Sequence, residues 1–231
     1  MIKPRISESG IIEDRELAEY FNRMARRYMR IPCQRVLKRV LKKGVQRGRA
    51  VDIGTGPGIF PIFVTKVLPE IRFKGIDLSP VMIELAKKNA IDEGVDGRIE
   101  FEVGSAYSLH CEDHSIDLLL CINTLHHLDR PIDFFNEVAR ALKEDGAFVI
   151  CDFHRDTSRV CIWTFEMLWR VFFGKHPKAR RGFIESVHSS YTLEECQAFL
   201  EQSRLKGWKL YTRTVEMWIE SVKSNLPQSP F

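Results

Sequence analysis

The stretch Val51-Asp-Ile-Gly-Thr-Gly-Pro-Gly58 decides how the rest of this chain is read. An apolar run that contains an acid, Asp52, stops at three glycines spaced two apart. Gly54, Gly56 and Gly58 permit positive φ and a close approach between backbone and ligand. A second acid, Asp77, follows Asp52 by 25 residues and closes the run Phe73-Lys-Gly-Ile-Asp-Leu-Ser79. A strand, a glycine turn, a helix and a second strand ending in an acid make a mononucleotide-binding half-site, where the acid can hydrogen-bond a ribose diol. A tight strand-to-helix turn with no ligand is the blander reading of the same residues.

Outward from this stretch the chain alternates. Strands are predicted at Arg49–Ile53, Arg72–Asp77, Ile99–Val103, Ile116–Ile122 and Ala147–Asp152. Between them, helices are predicted from Gly58 to Leu68, from Ser79-Pro80 to Asn89 or Glu93, and from Ile132 to Leu142. Pro61 falls in a first turn, and Ser79-Pro80 is an N-cap followed by proline at N1. This rhythm implies a parallel sheet covered by helices on both faces, with right-handed crossovers. Two helices precede it, at 14–30 and 33–43, with Pro32 ending one or starting the next.

After the fifth strand the rhythm breaks. Residues 157–173 read as an aromatic helix with Trp163, Phe165, Trp169, Phe172 and Phe173. A basic loop, Gly174–Gly182, and a connecting segment, Phe183–Tyr191, are expected next. Thr192 and Glu195 form a capping box for a helix ending near Ser203. Trp208 and Leu210 begin an apolar alternation, and Val215, Met217 and Ile219 form another, read as a last strand in preference to a short helix. The organisation expected is a helical cap at 1–48, an α/β domain at 49–221 with a lid at 153–191, and a frayed tail at 222–231.

The 231 residues suffice for one buried core. No apolar run reaches the roughly 20 residues of a membrane span, and the first residues lack a signal-peptide core, so a cytoplasmic location is expected. Cysteines 33, 111, 121, 151, 161 and 196 include no Cys-x-x-Cys pair; Cys121 and Cys151 read as small buried hydrophobes. The net charge of +4 is uneven: eleven Arg or Lys and no acid lie between Tyr20 and Val51, so the remainder carries about −7. Those cations suit a nucleic-acid or anionic-ligand surface, a solvated helix face, or packing beside the acidic remainder.

These motifs together resemble the class I S-adenosylmethionine-dependent methyltransferases, in particular the small-molecule branch that includes the ubiquinone and menaquinone C-methyltransferases. The matching stretches are Val51–Gly58, Gly75-Ile-Asp-Leu-Ser79, Gly104-Ser-Ala106, Asp117-Leu-Leu-Leu-Cys-Ile-Asn-Thr-Leu-His-His-Leu-Asp-Arg-Pro131 and Leu142-Lys-Glu-Asp-Gly-Ala-Phe-Val-Ile150. The likeness is near-continuous from Phe21 to Asp152; beyond that only the architecture matches. It implies a Rossmann-like three-layer α/β fold, with a mostly parallel seven-stranded sheet, a helical cap and a lid after strand 5. It implies S-adenosylmethionine as methyl donor and S-adenosylhomocysteine as product.

Position by position, the resemblance puts Asp52, Gly54, Thr55, Gly56 and Gly58 near the methionine moiety and Asp77 on the ribose hydroxyls. Leu78 and Ala106 would meet the adenine. Ser105 stands where the family often has an aspartate for the exocyclic amine. Asn123 would border the methionine chain, and Tyr20 and Tyr28 lie in a helix that closes over the cofactor. A nicotinamide dinucleotide would also place its ribose on Asp77. An acid inside strand 1 suits a zwitterionic methionine better than a diphosphate, and no second mononucleotide half is present.

Methyl transfer needs alignment and exclusion of water, and a base only where the nucleophile must lose a proton. His127, His154, Asp152 and Tyr191 are the candidate catalytic residues, each with a packing or capping role as the alternative. His126, His127 and His154 could in composition hold a metal, but no metal is expected. The aromatic helix reads as an amphipathic lid whose Trp and Phe face the core, as one whose inner face lines an acceptor pocket, or as both. The loop Lys175–Arg181 suits an anionic acceptor or is simply a solubilising segment. The function expected is methyl transfer to a small molecule by a monomer or homodimer. The alternatives are an RNA or protein methyltransferase docking through the basic helices, and a non-catalytic cofactor-binding module.

Overall fold

A computed structural model describes residues 5–6, 11–173 and 177–222, with backbone alone at 169, 172–173, 177–181 and 183. Its centre is a seven-stranded sheet in the order β3-β2-β1-β4-β5-β7-β6. The strands are β1 (Arg47–Ile53), β2 (Glu70–Asp77), β3 (Ile99–Val103), β4 (Ile116–Ile122), β5 (Leu142–Phe153), β6 (Trp208–Arg213) and β7 (Glu216–Ser221). The first five are mutually parallel; β7 runs antiparallel to both β5 and β6. The chain reverses beside β1: β2 and β3 lie on one side of it and β4 and β5 on the other. Ligands in open α/β sheets sit at such a switch point, outside the carboxyl ends of the strands.

Eight helices surround the sheet among the described residues. They are α1 (Arg15–Tyr28), α2 (Arg30–Lys43), α3 (Ile59–Val67), α4 (Pro80–Asp92), α5 (Pro131–Ala141), α6 (Arg159–Phe173), α7 (Pro177–Ser189) and α8 (Leu193–Gln202). Strand alternation divides the core into two layers. In β4, Leu119 and Cys121 join Phe134, Phe135, Val138 and Leu200 beneath α5 and α8. Leu118, Leu120 and Ile122 join Val36, Val40, Ile62 and Ala86 beneath α2, α3 and α4. Caps set several helix starts: Asp14 accepts from Glu16 and Leu17, Ser79 accepts from Met82, and Thr192 with Glu195 completes a capping box. Each such cap contributes about 1 kcal/mol.

The cations of the N-terminal helices are largely matched by acids of the same chain. Arg26 reaches Asp92 and Glu93, and Arg35 reaches Glu216. Arg39 and Lys43 both meet the buried Glu220, and the Arg39 guanidinium stacks 3.4 Å from the Trp218 ring centre. These contacts fasten α1 to α4 and α2 to the last strand.

Three expectations need correction. The segment 174–191, read as a basic loop and a connector, contains α7. Pro177 opens that helix at its first position, where a missing N–H costs nothing, and the basic run Lys178–Arg181 in its first turns hid the helical period. The aromatic helix does not turn all its rings inward, because Trp163 is exposed. The run Leu142–Gly146 belongs to β5, with a register irregularity between the β4 residues Ile116 and Leu118. The expected tail lies outside the described residues beyond Val222.

Candidate active site

The glycine turn uses each of its glycines differently. Gly54 (φ 66°) leaves room for Thr124: a Cβ there would stand 2.1 Å from the Thr124 hydroxyl. Gly58 (φ 76°) packs against the Phe101 ring and Ala86, closing α3 onto the sheet. Gly56 (φ 51°) faces open space, with no atom within 4 Å of where its Cβ would be. Tight turn, close packing and open approach are the three uses of glycine in a nucleotide-binding turn. Beside it Asp77 accepts the N–H of Gly56 at 2.8 Å and of Ser79 at 2.9 Å. A carboxylate has about four lone-pair positions, so two bonds leave room for a diol. Leu78 and Val103, next to it, are 49% and 50% exposed and offer an apolar surface to a flat ring.

Asp52 lies behind the turn, buried, with the Thr55 hydroxyl donating to it at 2.7 Å. Burial pushes its carboxyl up to about 7; the Thr55 bond opposes this and the Asp77 charge adds to it. Burial also raises Asp77, against the N–H groups of Ser79, Gly56 and Leu78. Two carboxylates short of positive charge, an open glycine and an exposed apolar pair fit a cationic nucleoside cofactor. The turn is steadied from outside. Asn89, fully enclosed, donates to the Pro57 carbonyl and to Asn22 of α1, both at 2.8 Å. Ser79 donates to the Ile12 carbonyl at 2.6 Å.

Across the switch point, β4 is followed by Asn123 (φ 55°), whose N–H donates to the Cys151 carbonyl at 2.7 Å. A 3-10 turn, Leu125–His127, follows. Asp152 at the end of β5 accepts the His126 N–H at 2.8 Å and its Nδ1–H at 2.7 Å, and both residues are buried. A carboxylate on Nδ1 holds that proton there, which leaves Nε2 a lone-pair acceptor. Nε2 is enclosed and has no hydrogen-bond partner. The His127 ring lies 3.9 Å from that of His126, tilted by 46°. Arg5 covers this turn: it donates to the His126 carbonyl at 2.9 Å, to the Ser189 carbonyl at 2.7 Å and to Asp129 at 3.0 Å. Its guanidinium also stacks 4.5 Å from the Tyr191 ring centre.

Comparison with known proteins agrees with this geometry. A family profile described as "Methyltransferase domain" matches residues 51–150, the span from the glycine turn to β5. Demethylmenaquinone methyltransferase of Deinococcus radiodurans is 29% identical over 192 residues, covering 75% of this chain and 77% of that one. Residues 51–150 make a methyltransferase domain, set in the Rossmann-like seven-stranded fold of the class I S-adenosylmethionine-dependent methyltransferases. An uncharacterized methyltransferase of Bacillus subtilis, YcgJ, is 35% identical over 104 residues, 45% of this methyltransferase; the match spans only 40% of YcgJ. A solved structure from Methanococcus maripaludis shares the fold, with a TM-score of 0.71 at 20% identity over 97% of this chain and 100% of that one.

Within this methyltransferase, the residues expected to meet the cofactor gather at the carboxyl ends of β1 to β4. Ser105 bridges to Ser108 and its hydroxyl accepts the Tyr107 N–H at 3.2 Å, while Ala106 is buried beside it. Tyr20 and Tyr28 sit on α1, half-buried, each with a neighbouring arginine over its ring. The catalytic candidates are less unified. Asp152 joins His126, not His127 or His154. His154 turns its Nε2 to the Thr214 carbonyl at 3.2 Å, toward the β6–β7 turn. Tyr191 donates its hydroxyl to the Leu128 carbonyl, and burial pushes its pKa up to about 12. Among the described residues no three His, Cys, Asp or Glu side chains cluster to hold a metal. The basic side chains at 175–181 lie outside the described set.

Sequence reading passed over Asn89 and Arg5, and took His126 only as a histidine beyond strand 4 that could in composition hold a metal. Only His126 carried a usable signal: it stood in the strand-4 motif, but the sequence could not say which of two adjacent rings turns toward Asp152.

Proposed function

We propose that the enzyme places the methyl group of S-adenosylmethionine on a small-molecule acceptor held over the ends of β4 and β5, beneath α6 and α7. When bound, the cofactor supplies a methyl already activated on a sulfonium. Asp77 takes the ribose diol, Gly56 opens its backbone to the methionine end, and Leu78 with Val103 receives the adenine. Asp52 adds negative charge behind the turn. His126 acts as general base through Nε2, with Asp152 fixing the tautomer and the ring. The single observation that carries this reading is the buried Asp152–His126 pair with its unpartnered Nε2. Because α7 and Arg5 cover the turn, acceptor entry requires that cover to lift.

Tyr191 fits a positioning role better than a base, since its proton is committed to Leu128 and its pKa is raised. The Deinococcus relative is named for demethylmenaquinone, which favours a small-molecule acceptor here too. Docking of RNA through α1 and α2 is disfavoured, because Arg26, Arg35, Arg39 and Lys43 already face acids. The six cysteines are free thiols, which suits the cytoplasm. Isotope-labelled cofactor incubated with fractionated extract tests the reading directly. A labelled small molecule formed by the wild type and not by His126→Asn supports it; a labelled RNA or protein overturns the acceptor class.

A further inference from the structure

Arg5 spreads its guanidinium over two elements that the sequence places far apart. Its Nη2 donates to the His126 carbonyl at 2.9 Å and its Nη1 to Asp129 at 3.0 Å, in and just after the 3-10 turn Leu125–His127. Its Nε donates to the Ser189 carbonyl at 2.7 Å, and the next backbone N–H, that of Ile6, donates to the His188 carbonyl at 3.2 Å. His188 and Ser189 are the last two residues of α7. Carbonyls at a helix end lack intrahelical partners, and a cation there also meets the negative end of the helix dipole. The guanidinium face lies 4.5 Å from the Tyr191 ring centre, and the Tyr191 hydroxyl donates to the Leu128 carbonyl beside the same turn. The Arg5 side chain is only 19% exposed.

The turn gains from such support. Three residues of 3-10 helix have poor hydrogen-bond geometry and little stiffness of their own. From the sheet side, Asp152 holds His126 by its N–H and its Nδ1–H. Arg5 holds the same residue by its carbonyl, so His126 is gripped at both of its peptide groups. Loss of the Arg5 grip would free one peptide plane while Asp152 still fixed the tautomer. A displacement of about 1 Å at a reacting group can cost roughly 100-fold in rate.

We propose that Arg5 is a positioning residue: it fixes His126 through the backbone, and it makes the seating of the α7 end against the turn part of aligning the base. This inference rests on the reading of His126 as the base. Nε, Nη1 and Nη2 each have a protein acceptor, so Arg5 acts through His126 and not on the methyl acceptor. Lysine is a poor replacement, because one ammonium cannot present a plane to Tyr191 and a donor to each of three separated oxygens.

Hydrogen exchange of the full-length protein with S-adenosylhomocysteine bound gives the first test. Arg5→Ala should speed exchange by about tenfold at residues 125–129 and 186–191 and leave 51–58 unchanged. Unchanged exchange at 125–129 overturns the proposal. The second test is transfer of labelled methyl to an acceptor-containing extract fraction over a dilution series. Arg5→Ala should lower the maximal rate by about 10–100-fold, with half-saturation within a few-fold of wild type. Guanidinium chloride below denaturing concentration should restore part of that rate, and sodium chloride of equal ionic strength should not. Arg5→Lys should be slow and unresponsive to guanidinium. A loss confined to half-saturation would make Arg5 an acceptor-binding residue and overturn the proposal. So would a loss that guanidinium leaves untouched, or one matched by an equal loss of S-adenosylhomocysteine affinity. Should Arg5→Ala fail to fold, Arg5→Lys carries the exchange and rate measurements with the same outcomes deciding. Full transfer by His126→Asn would instead overturn the base assignment, and faster exchange in Arg5→Ala would then still establish the clasp between the turn and α7.

Discussion

The two halves of the active site are built on different scales. On the donor side, the groups that hold Asp52 and Asp77 are near in sequence: Thr55 lies three residues from Asp52, Ser79 two from Asp77, and Gly56 is 21 from Asp77. On the acceptor side, Asp152 meets His126 across 26 residues, and Arg5 reaches His126 across 121 and Ser189 across 184. The acids differ too. Asp52 is buried with one hydroxyl donor, whereas Asp152 receives three N–H bonds, two from His126 and one from Phe153. The donor half thus holds negative charge in reserve for a cationic ligand. The acceptor half has already satisfied its acid, and the proposed chemistry there falls to the histidine. A local half can stay constant while distant side chains alter the other, which is how one donor grip can accompany different acceptors.

The sharpest way to break this contrast is to remove the base. His126→Asn should lower kcat by about 10²–10⁴-fold, the usual contribution of a positioned general base. S-adenosylhomocysteine should bind as before by calorimetry, and His127→Asn should leave kcat within a few-fold of wild type. Equal turnover by His126→Asn and wild type would remove the acceptor half's chemistry.

Next in size is Arg39→Met. It breaks the bond to buried Glu220 and the stack on Trp218 while Lys43 still faces that acid, so about 2–3 kcal/mol should be lost. The melting temperature should fall by roughly 5–10 °C. A gel shift with RNA that vanishes in a stably folded Arg39→Met would instead make this arginine part of a docking face.

On the donor side, Asp77→Ala should weaken cofactor affinity by about 1–3 kcal/mol, a lost charged hydrogen bond, with the change in KM for the cofactor exceeding that in kcat. Unchanged affinity would displace the ribose from β2.

A smaller, pH-dependent effect separates the two acids. The folded Asp52 carboxyl titrates near 7, above its unfolded value, so its protonated form stabilises the fold fully only below about pH 4. That contribution is lost as pH rises through about 7. The ligand-free wild type should therefore lose on the order of 1–2 kcal/mol relative to Asp52→Asn between pH 5 and 8, read as melting temperature. Parallel curves for the two proteins would contradict the placement of Asp52. The smallest effect belongs to Lys38→Ala and Lys42→Ala, exposed cations whose loss should change stability by less than about 0.5 kcal/mol.

Much of the fold was legible because β1 to β5 and their helices follow local rules. Alternation marked the strands, Ser79-Pro80 and Thr192–Glu195 marked helix starts, and Val215, Met217 and Ile219 correctly indicated a strand. α7 escaped because its first turns are basic and follow a Gly-Lys-His-Pro run that reads as a loop. The glycines announced a nucleotide turn, but not that Gly54 is required by Thr124, 70 residues away. Arg5, and the choice of His126 over His127, were illegible for the same reason. Their partners come from other elements, and no spacing within a window encodes a contact between a chain end and the middle of a sheet.

The position of β7 has a consequence for synthesis. It covers the outer edge of β5, yet its last residue emerges 68 residues after β5 is complete. At ordinary translation speed that interval is about 3–14 s. Throughout it, a nascent chain carries an unpaired strand edge of the kind that invites aggregation. Arg35 and Arg39 wait longer still, 181 residues each, for Glu216 and Glu220. The glycine turn and Asp77 leave the ribosome early, and the strand that seals the sheet leaves long after them.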